Sequence, residues 1–521
     1  MPKAPVQAQL QRALRAQVYD VARRTPLDKA PGLSERLGRR FWLKREDLQP
    51  TFSFKLRGAY NCIHSLSEEQ RARGVIAASA GNHAQGVALA ASRLGVEATI
   101  YMPRTTPEIK VKAVAKLGAE IKLTGDDYDA ACKSALEEAQ RSGAFFVHPF
   151  DDPDVIAGQG TVGIEISQQL PEPPEAIFVP IGGGGLASGI ASTVKAIYPE
   201  VKIIGVEPED AASMRAAIDA GGPVDIGSTG NFADGVAVRK VGLLTFELCR
   251  ELLDDIVLVS TDQVCAAMRT IFEEVRAVVE PAGALAVAGA LHYSGEVEAQ
   301  GDWVALLCGA NVNFDRLGHV VERCFLGDGS EALLSVTIPE RPGSFLQFCK
   351  ALGHSSVTEF NYRNNGSPEA RVFVGVKLQD SLGQLTERLE GNGYPVTDLS
   401  DNEIAKLHLR HMVGGLLPSA DRERILHFDF PERPNALLEF LTVLAGRWSI
   451  SLFHYRNHGS AHAWVLAGFL VPEEDDDGFQ SFLEETGYRF VDVTGNSACT
   501  EFLATPEALR PALGLTASIP G

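Results

Sequence analysis

Over roughly the first 325 residues, short apolar runs alternate with longer stretches whose apolar residues recur every three or four positions. Residues 98–102, 120–124, 145–148, 177–181, 202–206 and 303–308 read as strands, with amphipathic helices between them. Strands that are apolar at nearly every position are buried on both faces, and strand–helix alternation joins neighbours in parallel. The pattern therefore predicts an α/β domain built on mostly parallel sheets.

Beyond about residue 325 the rhythm changes and the chain repeats itself. Residues 334–342, ending Pro339-Glu340-Arg341-Pro342, are echoed by 426–434, ending Pro431-Glu432-Arg433-Pro434, and Tyr362-Arg363-Asn364 is echoed by Tyr455-Arg456-Asn457. Each copy reads as a strand, a turn, a helix (345–352; 437–444), a strand, a turn at Gly366 or Gly459, and a strand (371–378; 463–470), with a further helix and strand to follow. Two α+β units are expected at 331–402 and 423–495, after a first domain at 1–326 that ends near Gly327-Asp328-Gly329-Ser330. The tail after Thr505, with three prolines, reads as peripheral.

The candidate chemistry lies in the first domain. Lys55 sits among Phe52, Phe54 and Arg57. A lysine with its ordinary pKa of about 10 is protonated at neutral pH, so nucleophilic use requires desolvation or a nearby cation. Phe52 and Phe54 could supply an apolar wall and Arg57 the cation, although a surface lysine laying its stem on aromatic rings gives the same letters. Two loops follow, each between an apolar strand and a helix: Ser79 to His83, and Gly182 to Leu186. Four glycines let backbone N–H groups converge on an anion, unless the loop is simply flexible. The spacing is not that of a dinucleotide fingerprint, and Glu207 only weakly imitates its ribose-binding acid. A lysine, an anion cup and an amide-rich turn on one α/β scaffold describe a site for pyridoxal 5'-phosphate.

Five segments in order, Ser53-Phe54-Lys55-Leu56-Arg57-Gly58, Ser79-Ala80-Gly81-Asn82-His83, Gly182 to Leu186, Glu280-Pro281-Ala282-Gly283 and Cys308-Gly309-Ala310-Asn311-Val312-Asn313, resemble the serine/threonine dehydratases of the tryptophan synthase β-like fold, pyridoxal phosphate fold type II. The resemblance implies a smaller subdomain, about 48–155, inserted in a larger one. It implies that Lys55 holds the cofactor covalently and later takes the α-proton, that Phe54 packs beside the ring, and that Asn82 donates to its 3'-oxygen. Gly182, Gly183, Gly184, Gly185 and Leu186 would hold the phosphate, and Ser79, Gly81, Asn82 and His83 the substrate carboxylate, His83 through its backbone and not as a base. Turn chemistry alone would also explain Ser79 and Asn82.

Cys308 would face the pyridine nitrogen, where the family places a neutral hydroxyl or thiol. Such a group cannot keep a proton on that nitrogen as an aspartate would, which favours ejection of a β-substituent over transamination. A small core residue would fit the same position. Related racemases carry a serine where this chain has Ala80, and an acid where it has Ser213 beside Glu207. Elimination is therefore expected over racemisation, and no metal site is expected.

The duplicated units resemble ACT-type amino-acid-sensing modules. Together the resemblances point to a threonine ammonia-lyase of the biosynthetic, feedback-regulated type, converting L-threonine to 2-oxobutanoate and ammonia as the first step of isoleucine biosynthesis. Isoleucine is the implied inhibitor, valine an opposing effector, L-serine a second substrate, and a homotetramer the implied assembly. Tyr362, Arg363, Tyr455 and Arg456 are the candidate effector residues, although they could equally stabilise pairing of the two units. A serine dehydratase or racemase, a catalytically silent amino-acid sensor, and repeats that serve only oligomerisation remain open at this point.

Composition narrows the class. The 521 residues exceed what one core organises, and a net charge of −19 gives no general attraction to nucleic acid or to an anionic membrane surface. Eight cysteines occur singly, without metal or redox spacing, as in a reduced cytoplasmic compartment. No apolar run reaches the length of a membrane span. Arg12, Arg15, Arg23 and Arg24 read as belonging to a surface helix and its flank rather than to a transit peptide.

Overall fold

The computed structural model describes residues 4–125, 127–230, 232–296, 301–314, 316–353, 355–363, 368–407, 409–411, 423–431, 436–456 and 462–496. The positions expected to turn at Gly366 and Gly459, the residues Asn364, Glu432, Arg433, Pro434 and Asn457, and the tail after Thr505 lie outside the described residues. The chain divides into two compact units, Met1–Gly327 and Asp328–Gly521.

Among its described residues the first unit carries ten strands: β1 (Leu27–Lys29), β2 (Phe41–Arg45), β3 (Val75–Ala78), β4 (Ala98–Met102), β5 (Glu120–Leu123), β6 (Phe145–Phe146), β7 (Ala176–Pro180), β8 (Lys202–Pro208), β9 (Asp255–Val259) and β10 (Trp303–Leu307). They form a six-stranded sheet in the order β1-β2-β10-β7-β8-β9 and a four-stranded sheet in the order β5-β4-β3-β6. All pairings are parallel except β1 with β2. The six strands expected from the apolar pattern are present within a few residues, although β6 keeps only two of its four. Strands β1, β2 and β9 were not anticipated.

Parallel strands of one sheet end together, so the loops after β7 and β10 lie side by side, and a hydrogen bond from Asn82 to Glu280 brings the loop after β3, in the other sheet, to the same crevice. The loops after β3, β7 and β10 carry Ser79 to His83, Gly182 to Gly185, and Cys308. Beneath them β7 and β10 are buried at every position, and the ring centroids of Phe178 and Trp303 lie 4.9 Å apart. Burying a side chain of the size of Phe178 is worth about 2–3 kcal/mol of transfer free energy. This layer makes the floor of the crevice rigid.

The helix Lys55–Ser65 lies flush against two others because glycines remove the intervening Cβ atoms. A Cβ on Gly158 of the helix Pro153–Gln169 would stand 2.6 Å from the Arg57 carbonyl oxygen, and one on Gly86 of Asn82–Leu94 would stand 3.1 Å from the Leu56 nitrogen. Asp152 caps the helix Pro153–Gln169 by accepting from the Asp154 and Val155 N–H groups, with Pro153 in its first turn.

The second unit follows the repeat. Strands β11 (Glu331–Pro339), β12 (Ser356–Arg363), β13 (Glu369–Lys377) and β14 (Val396–Asp398) belong to the first copy; β15 (Glu423–Pro431), β16 (Ser449–Arg456), β17 (His462–Leu470) and β18 (Arg489–Asp492) belong to the second. Helices Ser344–Leu352 and Leu382–Gly391 are matched by Ala436–Leu444 and Asp476–Thr486. The copies merge into one eight-stranded sheet, β14-β11-β13-β12-β16-β17-β15-β18. Its central seam is antiparallel, with Tyr362 opposite Phe453 and Phe360 opposite Tyr455. Asn361 faces His454, the residue in the same place of the other copy, so the seam is self-complementary.

Candidate active site

Lys55 opens the helix Lys55–Ser65, with Phe54 as its N-cap. Its Nζ lies 5.2 Å from the centroid of the Phe54 ring and donates to the Pro149 carbonyl at 3.1 Å. Burial pushes the ammonium down to about 8, with Cys308 and Glu280 pulling weakly the other way. An amine held there is available as a free base near neutrality, as capture of a carbonyl requires.

The segment before Lys55 is sewn to the end of β10. Ser53 bridges Gly309, the Phe54 N–H donates to the Cys308 carbonyl at 3.3 Å, and the Ala310 N–H donates to the Phe52 carbonyl at 2.9 Å. Cys308 is 3% exposed, and its Sγ donates to the Ala282 carbonyl at 3.3 Å. Burial holds the thiol well above its ordinary pKa, so it stays neutral. Gly283 allows this approach, since a Cβ there would stand 2.2 Å from the Gly309 oxygen.

Asn82 begins the helix Asn82–Leu94. Its Nδ2 donates to Glu280 Oε1 at 2.6 Å, and its Oδ1 accepts from Asn311 Nδ2 at 2.7 Å, which also donates to the Thr51 carbonyl at 2.8 Å. Glu280 stands at the N-cap position of the helix Pro281–Tyr293 without a side-chain capping bond, is 4% exposed, and is pushed up to about 7 by burial. Glu280 and Asn311 lay inside recognised segments but had no role assigned. Their signal in the sequence is a polar residue directly after an apolar run, at a helix start for Glu280 and beyond the end of β10 for Asn311.

The glycine loop after β7 is sterically obligatory. A Cβ on Gly183 would stand 2.2 Å from the Phe150 ring, one on Gly182 2.9 Å from Val236 Cα, and one on Gly185 3.0 Å from Phe150 Cα. Gly184 has φ +92 and caps the helix Gly185–Ile197, whose first-turn N–H groups lack partners within that helix. Thr245 Oγ1 donates to the Gly183 carbonyl at 2.7 Å, and Asp151 accepts from the Leu243 and Thr245 N–H groups. The Leu186 side chain, 4% exposed, joins the core and leaves only its backbone at the loop.

In the loop after β3, Ser79 Oγ accepts from the Gly81 N–H at 3.1 Å, and a Cβ on Gly81 would meet nothing within 4 Å. The His83 ring faces away, with Nε2 2.9 Å from the Val147 carbonyl; burial and then Lys55 drive its pKa down to about 3. Only the His83 backbone is left for this loop. His148, unforeseen from the sequence, accepts the Asp151 N–H on Nδ1 at 2.8 Å and is pushed down to about 4 by burial.

Two expectations around the lysine are corrected. Phe52 has φ +53 and is 56% exposed, so its ring turns outward and Phe54 alone forms the wall. Arg57 is not the cation that lowers Lys55. It is fully buried in an ion network, with Nε and Nη2 on Glu46 at 2.8 Å each and Nη1 on Glu165 at 2.7 Å. Lys44 completes the network on Glu165 at 2.6 Å. The desolvation around Lys55 does the work assigned to Arg57. Glu207 accepts from the Met214 and Arg215 N–H groups at 2.8 and 2.9 Å, so its carboxylate caps a helix.

In the second unit, Tyr362 is 4% exposed; its hydroxyl donates to Glu340, and its ring meets Phe345 edge-on at 4.8 Å. The Arg363 guanidinium is bound to Glu423 of the other copy. Tyr455 packs against the core of this unit, and Arg456 pairs through its backbone with Glu359, its side chain lying outside the described residues. A narrow cleft lies where the copies meet, lined by Glu340, Ser344, Ile338, Leu441, Leu444 and Trp448 among others. Ser344 Oγ is buried there with no hydrogen-bond partner.

Residues 18–309 match the family of pyridoxal-phosphate dependent enzymes, and residues 322–409 and 414–503 match the C-terminal regulatory domain of threonine dehydratase. The chain is 52% identical over 506 residues to the biosynthetic L-threonine dehydratase of Escherichia coli (strain K12), covering 96% of this chain and 98% of that one. It is 51% identical over 498 residues to the corresponding protein of Pasteurella multocida (strain Pm70), covering 95% and 97%. Among solved structures it is similar to the processed form of threonine deaminase isoform 2 from Solanum lycopersicum, with a TM-score of 0.61 at 48% identity over 63% of this chain and 90% of that one.

Proposed function

We propose a division of labour among the residues of this site on the premise that the chain belongs to the pyridoxal-phosphate-dependent enzymes, and within them to the biosynthetic threonine dehydratases. The chain is a threonine ammonia-lyase: L-threonine loses its α-proton and its β-hydroxyl, and the resulting enamine, through its imine, is hydrolysed to 2-oxobutanoate and ammonia. Bound pyridoxal phosphate supplies an electrophilic carbonyl for amine capture and an electron sink for the carbon that loses its proton.

The residues present fit that group, because the left-handed turn at Gly184 opens the helix Gly185–Ile197, whose first-turn N–H groups lack partners within that helix, and Lys55 is desolvated. The Lys55 amine would hold the cofactor's carbonyl carbon and serve as the base that takes the α-proton. Backbone N–H groups of Gly182, Gly183, Gly184, Gly185 and Leu186 would hold the phosphate. Phe54 would bound the ring, Asn82 would donate to the 3'-oxygen, and the neutral Cys308 thiol would serve the ring nitrogen. Ser79, Gly81, Asn82 and the His83 backbone would receive the substrate carboxylate. The observation that carries this reading is the lowered Lys55 amine in contact with Phe54, in a segment hydrogen-bonded to Cys308.

The second unit is read as the sensor, in two modules at 331–402 and 423–495, and the catalytic domain as 1–326 with a smaller subdomain at about 48–155. Isoleucine is the proposed inhibitor. The cleft between the copies offers a carboxylate at Glu340 for an ammonium, the unpartnered Ser344 hydroxyl at a helix start for a carboxylate, and aliphatic walls for a branched side chain. Tyr362 reaches this cleft through Glu340, while Arg363, Tyr455 and Arg456 belong to the seam beside it. Valine as an opposing effector, L-serine as a second substrate, a homotetramer and a cytoplasmic location complete the proposal. Release of ammonia and 2-oxo acid from L-threonine, measured with and without isoleucine, tests it; absence of release sinks the catalytic reading, and indifference to isoleucine sinks the regulatory one.

A further inference from the structure

The reaction accounts for Lys55, Asn82 and Cys308 but leaves a buried carboxyl among them without a role. Glu280 Oε1 accepts from Asn82 Nδ2 at 2.6 Å, while Asn82 Oδ1 is held by Asn311 Nδ2 at 2.7 Å. The Asn82 amide is therefore clamped at both ends. An ionised carboxylate is acceptor-only, so it compels the amide to turn its NH2 inward, leaving the second Nδ2 hydrogen free for a ring oxygen. A protonated carboxyl offers a donor as well and removes that compulsion. Space for the carboxyl is reserved on the other side: a Cβ on Gly309 would stand 2.2 Å from Oε1, and one on Gly235 3.6 Å from it.

Resting on the cofactor assignment above, we propose that Glu280 is a positioning residue whose charge fixes the Asn82 amide and thereby sets how firmly the 3'-oxygen of the cofactor is held. The charged and titratable groups facing it are Lys55 from the helix Lys55–Ser65, Cys308 from the end of β10, Asp234, and Lys110 from the helix Glu108–Ala115; Lys110 and Asp234 pair at 2.8 Å. Cys308 stays neutral, Lys110 is paired with Asp234, and Lys55 is engaged by the cofactor on the reading above, so in the loaded protein Glu280 is the group bonded to Asn82 whose charge can change. Its raised pKa places that change at about 7.

The test follows the visible spectrum of the bound cofactor and its dissociation constant as functions of pH, in the full-length protein loaded with pyridoxal phosphate. The natural protein is expected to bind more tightly above about pH 7 than below, with a spectral step at that midpoint. Glu280→Gln is neutral and, like the protonated carboxyl, carries both a donor and an acceptor, so its affinity should lie within about threefold of the natural protein's low-pH value at every pH while the step disappears. Glu280→Leu removes the acceptor and should weaken cofactor binding by about tenfold or more. A Glu280→Gln protein that keeps the step at the same midpoint, or a natural protein with no step, overturns the inference. If the natural protein attaches no cofactor at Lys55, the failure lies in the cofactor assignment, and this inference falls with it.

Discussion

The backbone N–H of Phe54 donates to the carbonyl of Cys308, across 3.3 Å and some 250 residues of sequence. One hydrogen bond thus fixes the segment bearing the reactive amine against the residue bearing the thiol. Displacement of either side would move both groups at once, and positioning errors of about 1 Å can cost on the order of a hundredfold in rate.

Lys55→Ala should abolish turnover and covalent cofactor attachment while leaving the far-ultraviolet circular dichroism unchanged, because the helix it opens is held by packing along Leu56 to Ile63. Borohydride reduction and peptide mapping of the natural protein should place the label on Lys55. A label on another lysine would refute the assignment.

The pH dependence of Lys55 itself can be read in protein freed of cofactor. With its pKa at about 8, about a tenth of the amine is unprotonated at neutral pH, against less than about a thousandth for an ordinary lysine. Reductive labelling by a small aldehyde should therefore rise through a midpoint near 8, whereas surface lysines should rise only near about 10. Equal midpoints would remove the argument from desolvation.

Cys308→Ser should retain elimination, since a hydroxyl preserves a neutral contact at the ring nitrogen. Cys308→Asp should reduce it and raise transamination, because a carboxylate stabilises a protonated ring nitrogen. The ratio of 2-oxobutanoate formation to transamination decides the matter, and an unchanged ratio in the aspartate variant would mean that Cys308 does not face the ring.

Arg57→Met should destabilise the first unit by about 3–5 kcal/mol, because Glu46 and Glu165 would be left buried without their partner. Denaturant melts measure this directly. Burial pushes Glu46 up, but Arg57 and Lys44 outweigh it and hold the carboxyl below its ordinary range. A carboxyl lowered by folding stabilises above its unfolded pKa, and this stabilisation is lost as pH falls through the folded one. The natural protein should therefore lose stability in acid more steeply than Arg57→Met, and parallel acid melts would contradict the network's role.

Truncation before Glu331 should leave threonine turnover and remove the response to isoleucine, since the second unit is a separate compact body. In the full chain Tyr362→Phe removes the hydroxyl bound to Glu340 and should weaken isoleucine inhibition by about tenfold or less, within the usual 1–3 kcal/mol of coupling. Its turnover without effector should not change. Inhibition of the truncated protein at unchanged affinity would place the effector in the first unit.

Much of this site was legible because its chemistry sits in contiguous runs at strand ends. Lys55 and the glycine loop stood out by residue type and position between strand and helix, Asn82 and Cys308 were singled out by resemblance to a family, and the duplication set out the element order of the second unit. Direction was not legible. Phe52 and Arg57 flank Lys55 in sequence, but a left-handed backbone turns the Phe52 ring to solvent and the helix aims Arg57 into Glu46 and Glu165. Strand β2 escaped for a related reason: its Lys44 and Arg45 look like surface letters, and their partners, Glu165 for Lys44 and Asp28 and Asp47 for Arg45, show only when the chain is folded.

The merged sheet of the second unit has used its two best edges on each other, and what remains at its margins is short. β14 has three residues and β18 four, too little backbone to template a strand from a neighbouring molecule. Fusion of the copies thus doubles as protection against runaway ribbon growth. Any self-association of this unit is thereby directed to side-chain surfaces rather than to open backbone.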